Sequence, residues 1–197
     1  MSGDDWVFGF GSLVEVAALA DYLGRGRFAA DDFQPCRLLE YRRAWNIARD
    51  NADDIPGLDH FVHGATGARV DGFIVSVNVR PAPGRWVNGI AFRAAAAEIA
   101  ILNKREFNYD RIDVTELIEP VPGGRVWVYR GKAAAEARYA QGVAAGTAMI
   151  NSAYHTVVHL AFESHGADFL ADYLASTDPP KVPLCPLRRS ADLTDEL

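Results

Sequence analysis

Cysteine is nearly missing from this chain: Cys36 and Cys185 are the only two in 197 residues, and they lie far apart. They could pair, but two reduced, buried thiols in a cytosolic protein are the expectation. Positive charge is short as well. Twenty Lys and Arg stand against 26 Asp and Glu, a net charge of -6, and the charges are scattered. That leaves neither the basic face a nucleic acid would need nor a charged tail. No apolar run approaches the roughly 20 residues that span a bilayer. The opening Met1-Ser2-Gly3-Asp4-Asp5 is acidic and polar, whereas a signal peptide starts positive and continues apolar. A cytoplasmic protein without membrane or nucleic-acid partners is therefore expected. No repeat and no linker-like stretch divides the chain, so a single domain over 1–197 is expected, with an extended Pro-rich tail from about 178.

What is present is apolar residue in quantity, 49% of the chain, enough for a sizeable core. Trp6 to Phe10 is aromatic and β-branched and predicts a strand. It runs into Gly11 and Ser12, then into a helix over Leu13–Leu23, where Val16, Leu19, Ala20 and Leu23 recur at helical spacing. Ser12 with Glu15 three residues on matches a capping box, and Gly24 and Gly26 end the helix. Cys36 to Ala48 predicts a strand, with the arginines of Tyr41-Arg42-Arg43-Ala44-Trp45 in water. Asp50 to Gly67 predicts a long loop. Phe73–Val79 and Trp86–Phe92 predict an antiparallel pair turned at Pro81–Gly84, with a bulge or kink at Asn88-Gly89. Helices are predicted over Ala94–Phe107, Ala133–Tyr139, Ala153–Ser164 and Ala167–Ala175. Strands are predicted over Ile112–Ile118 and Arg125–Tyr129. Four prolines between 179 and 186 keep the tail extended. Strand pairs with interspersed helices predict an α+β fold, a small curled sheet or barrel with helices outside.

Two places could carry chemistry. Ile99 and Leu102 precede Glu106 by seven and four residues, so Glu106 continues the apolar stripe of its helix. A carboxylate withdrawn from water raises its pKa, as general acid/base chemistry requires. Periodicity alone equally allows Glu106 to emerge at a frayed helix end, or to pair with Arg105 or Arg111. At Gly11-Ser12, free backbone N–H groups and a glycine could hold a small carboxylate or phosphate; an ordinary cap and turn would read the same way. Other motifs fail. Gly9-Phe10-Gly11 would need a glycine where Val14 stands. Ser12 lacks a nucleophile elbow. His155 and His159 flank Thr156 rather than a zinc-protease glutamate, and His60 and His63 complete no ligand set, so no metal is expected.

Taken together, these segments resemble the γ-glutamylcyclotransferase superfamily. The likeness rests on a strand running into Phe10-Gly11-Ser12-Leu13, and on Val87-Asn88-Gly89-Ile90-Ala91-Phe92 ahead of Leu102-Asn103-Lys104-Arg105-Glu106 with Tyr109 following. Tyr154 with Val157 and Val158, then Gly166, Tyr173 and Leu174, complete it. The order holds over most of the chain, although each piece is short. Phe10 departs from the usual tyrosine and removes a hydroxyl.

The resemblance implies a mixed-sheet barrel with surrounding helices and no cofactor. It implies cyclisation of a γ-glutamyl group to 5-oxoproline with release of an amine or peptide. Glu106 would be the acid/base, and Phe10, Gly11, Ser12 and Leu13 the substrate cradle. Tyr129 and Tyr154 are candidates for hydrogen bonding to substrate, although buried core tyrosines would read alike. Two alternatives stand beside this: a non-catalytic small-molecule-binding domain on the same fold, and a cyclotransferase specific for γ-glutamylamines.

Overall fold

The structure, a computed structural model, describes residues 5–55 and 59–191. In chain order it comprises β1 (Asp5–Gly9), α1 (Val16–Leu23), β2 (Phe33–Asp50), β3 (Phe61–His63), β4 (Phe73–Ala94), α2 (Ala96–Arg105), β5 (Tyr109–Asp113) and β6 (Ile118–Glu119). Then follow β7 (Val126–Gly131), α3 (Ala133–Ala145), β8 (Ala148–Asn151), α4 (Ser152–Glu163), α5 (Ala167–Ser176), β9 (Leu184–Cys185) and β10 (Leu187–Arg189). The main sheet runs β5-β7-β1-β4-β2-β6, with β8 joining β4 and carrying β9; β10 pairs with β3 separately. Parallel contacts (β1 with β7, β4 with β8) mix with antiparallel ones. The result is a curled, half-barrel mixed sheet with helices around it, an α+β fold.

The spine is the β2–β4 pair, in register from Phe33 opposite Phe92 to Asp50 opposite Phe73. Here the structure corrects the predicted hairpin at Pro81–Gly84: β4 runs straight through it. The ladder slips between Leu39 and Tyr41, where Glu40 takes φ 63° and its carboxylate accepts the Gly84 N–H at 2.7 Å. Prolines 81 and 83 donate no ladder bonds, and Gly84, at φ 70°, fits the left-handed step, so the pair bends instead of reversing. Nor is Asn88-Gly89 a bulge; both pair regularly, with Arg37 and Cys36. Gly89 serves a close approach: a Cβ there would lie 2.2 Å from the Gly9 carbonyl oxygen.

β1 alternates between two cores, as a strand must. Trp6, Phe8 and Phe10 pack with β2, β4, α4 and α5, while Val7 joins Leu19, Leu23, Phe92, Ile99 and Leu102 beneath α1 and α2. The predicted loop over 50–67 contains β3, formed because the distant Leu187–Arg189 segment pairs with it; Pro56, Gly57 and Leu58 lie outside the described residues, as do residues 1–4. The segment predicted as one strand over 112–118 is β5, then a single turn at Thr115–Leu117, then β6. No described helix is long and apolar enough to cross a membrane.

Candidate active site

After β1 the chain makes a single 3₁₀ turn over Ser12–Val14, closed by the Val14 N–H on the Gly11 carbonyl at 3.1 Å. The Ser12 and Leu13 N–H groups precede that bond and are not used by the turn. Glycine is needed at 11, because a Cβ would lie 2.7 Å from Val77 Cγ1. The predicted capping role of Ser12 is corrected: Glu15 caps α1, its carboxylate accepting from the Ala17 and Ala18 N–H groups at 3.2 and 2.5 Å. A carboxylate at that place also meets the positive end of the helix. The Ser12 hydroxyl is left to accept a hydrogen bond from Arg105 at 3.2 Å.

Glu106 ends α2, its N–H donating to the Leu102 carbonyl at 2.8 Å. Ile99 and Leu102 below it are buried, so the stripe they define carries Glu106 inward. Its side chain is 15% exposed, and one oxygen meets Arg105 Nε at 3.2 Å. Burial raises its pKa, and the neighbouring Arg105 charge partly opposes that rise. The acid is therefore withdrawn from water and paired with Arg105, rather than emerging at a frayed helix end. Arg111 is elsewhere, its guanidinium over the Trp127 ring.

Glu106, Arg105, Ser12, Tyr109 and Tyr154 line one cavity of about 220 Å³. Tyr154 packs edge-on against Trp45. Burial, then the Glu106 charge, push its phenol well above the ordinary range, so it remains a neutral donor. Tyr109 is likewise held protonated and donates to the Val77 carbonyl at 2.7 Å. A larger hollow of about 430 Å³ lies near Cys36 and Phe169. Burial raises the Cys36 thiol pKa there and Asp172 is paired with Arg37, which leaves it without an activated group.

The remaining sequence candidates do not line the Glu106 cavity. Phe10 is buried, its ring against Tyr109 and its carbonyl bonded to Arg43. The Leu13 side chain packs in the α1–α2 core. Tyr129 is buried and donates to Asn103 Oδ1 at 2.8 Å. Among the described residues no cluster of three or more His, Cys, Asp and Glu could hold a metal; His155 packs on Trp45 instead.

Sequence reasoning missed two arginines in β2. Arg43, expected in water, is 0% exposed. It donates to the carbonyls of Phe10 (2.8 Å) and Asn88 and to the hydroxyls of Ser176 (3.2 Å) and Thr177 (2.9 Å). Its guanidinium lies over the rings of Phe162 and Tyr173, and burial pulls its pKa down to about 9. It thus braces the Phe10-Gly11-Ser12 segment from behind. Arg49, also buried, lines the Glu106 cavity itself. The sequence carries little signal for them: β2 holds Arg37 and Arg42 as well, and only Arg43 and Arg49 are buried.

The curled mixed sheet, with β1 among its central strands and helices around it, is the γ-glutamylcyclotransferase-like fold. Among solved structures, a γ-glutamyl cyclotransferase superposes with a TM-score of 0.52 at 10% identity, over 98% of both chains. YkqA from Bacillus subtilis gives 0.56 at 12% identity over 88% of this chain, which spans only 54% of the YkqA chain. No protein-family profile matches the chain, and no curated protein does. The likeness drawn from the sequence is thus met at the level of the fold.

Proposed function

We propose that the protein is a γ-glutamylcyclotransferase-type enzyme, cyclising a γ-glutamyl group to 5-oxoproline and releasing the attached amine or peptide. One observation carries the reading: a desolvated carboxylate, Glu106, shares a small cavity with the Ser12 turn and Tyr154. The cavity is below the roughly 300–1,000 Å³ typical of drug-sized ligands, which suits an amino-acid-sized group.

The backbone N–H of Ser12, whose turn borders the cavity, holds the glutamyl α-carboxylate. The α-amine then faces the γ-carbonyl of its own molecule, and that curled conformation supplies much of the acceleration. Nitrogen attacks the carbonyl carbon and the new C–N bond closes the five-membered ring. Glu106 takes the proton from the attacking amine and delivers it to the departing nitrogen as the old amide bond breaks. The carboxylate ends as it began, and no proton is consumed. Tyr154, neutral at working pH, donates to the substrate. Arg105 holds Glu106 and Ser12 in place together and keeps the carboxyl from drifting to a pKa too high for a base.

The test is direct. Purified protein incubated with γ-glutamyl amino acids, γ-glutamyl peptides and γ-glutamylamines is expected to release 5-oxoproline from at least one class. Absence of 5-oxoproline from all three would overturn the proposal.

A further inference from the structure

A cavity of about 260 Å³ lies where the chain after α5 crosses the β2–β4 spine. It is lined by Trp45 and Asn46 of β2, Arg80 of β4, Tyr139 of α3, and Asp178 and Lys181. It shares no lining residue with the Glu106 cavity. The segment that brings Lys181 there is held at both ends. The Asp178 N–H donates to the Arg43 carbonyl at 2.8 Å, and the Pro183 carbonyl accepts the Ile150 N–H at 2.9 Å. Pro179 and Pro180 stiffen the span between these anchors. Lys181 is therefore exposed but carried on a fixed backbone.

The lining offers donors in excess of acceptors. Trp45 is 3% exposed, and its indole N–H is buried without a hydrogen-bond partner. Among the described residues, the Tyr139 hydroxyl and the Lys181 ammonium have no partner either; burial raises the Tyr139 pKa, so the hydroxyl keeps its proton. Asn46 accepts from Asn78 through Oδ1 at 3.1 Å, which leaves its Nδ2 to donate. The one carboxylate in the lining is already spent, since Asp178 takes Arg42 on one oxygen and Arg80 on the other. Glu136, one turn before Tyr139 on α3, accepts from Asn78 at 3.3 Å and does not line the cavity. Arg42, Arg80 and Lys181 thus face a single acid, a surplus of two positive charges. An occupant with two negative charges and several acceptor oxygens balances both accounts. Trp45 also packs edge-on against Tyr154 of the Glu106 cavity, with ring centroids 5.8 Å apart, so such an occupant lies one ring away from that tyrosine.

We infer that this cavity is a second ligand site, separate from the Glu106 cavity, and that it takes a phosphate group. The test reads binding alone, so its outcome is independent of the cyclotransferase reading. Inorganic phosphate and glycerol 3-phosphate are titrated into the full chain by calorimetry at pH 8 and constant ionic strength, where both are doubly charged. Binding of at least one is expected, and the tighter of the two tells a free phosphate from a phosphorylated metabolite. Lys181→Gln should weaken it about 5-fold, a charge-assisted bond discounted for exposure. Tyr139→Phe should weaken it about 3-fold. Neither residue is buried, so both variants are expected to fold, and a loss of affinity in either upholds the site. No binding of either compound, or an affinity that neither variant changes, would overturn it.

Discussion

Arg43 and Glu106 are both withdrawn from water, and the protein treats them in opposite ways. Arg43 lines none of the cavities described above. Its donors go to two carbonyls and two hydroxyls, and its planar cation lies against the stacked rings of Phe162 and Tyr173. Glu106 has one ion pair, with Arg105, and otherwise opens on a cavity. A buried charge whose hydrogen bonds are all made within the protein is a brace; one with acceptor capacity to spare in a cavity is available for chemistry. The two are coupled through one segment. Arg43 holds Phe10 from behind, and Arg105 ties Ser12 to the carboxyl in front.

Glu106→Gln should have the largest effect and is the sharpest way to break this contrast. Turnover is expected to fall about 10²-fold or more, with KM changed far less, since the proposed mechanism gives the α-carboxylate to the Ser12 turn. Near-wild-type turnover would remove Glu106 from the mechanism. Stability should move the other way. Burial raises the folded-state pKa of Glu106, so this group favours folding only while protonated and costs stability as pH rises through that value. Glutamine stays neutral. A higher melting temperature is therefore expected at pH 7, with the gain vanishing below the unfolded pKa of about 4.3. Thermal melts at the two pH values check the sign.

Arg43→Leu tests the brace. The Phe10 and Asn88 carbonyls lose their donor, at about 1–3 kcal/mol for each group left buried and unbonded. For a chain of this length the two together correspond to a melting-temperature drop of roughly 4–24 °C. Loss of activity should follow loss of stability, measured on the same preparation. Unchanged stability with lost activity would mean that Arg43 belongs to the site instead.

The smallest effects should separate the two tyrosines. Tyr154→Phe removes a hydroxyl from the cavity and should lower kcat/KM by about 10-fold. Tyr129→Phe removes a hydroxyl bonded to Asn103 away from it, and should cost about 1 kcal/mol of stability with little change in turnover. Denaturant melts and steady-state kinetics on the pair distinguish the roles; reversed outcomes would redraw the boundary of the site.

Those contrasts also mark what could be read before the fold was known. β1 and its turn were legible because an aromatic, β-branched run stops at a glycine, and Glu106 because an acid interrupts the stripe of Ile99 and Leu102. Pro81–Gly84 misled because its local chemistry is that of a turn. Whether it reverses or bends the chain is decided by Glu40, 44 residues earlier, which reaches Gly84. Arg43 misled for a similar reason: an arginine in a strand faces water unless something covers it, and Ser176 and Thr177 come 133 and 134 residues later. Ser12 was picked out for a cap it does not form, since Glu15 offers the stronger acceptor.

The lining of the Glu106 cavity bears on how the cavity itself can form. Ser12, Glu106 and Tyr154 come from the first tenth, the middle and the last quarter of the chain, joined only by long-range packing on the spine of β2 and β4. No short contiguous fragment contains all three. Spine pairing joins residues up to 59 positions apart, so the chain must close long loops before any of these groups meet. The cavity is therefore complete only once the spine has paired, and any ligand bound there would draw its binding free energy against unfolding of the whole assembly.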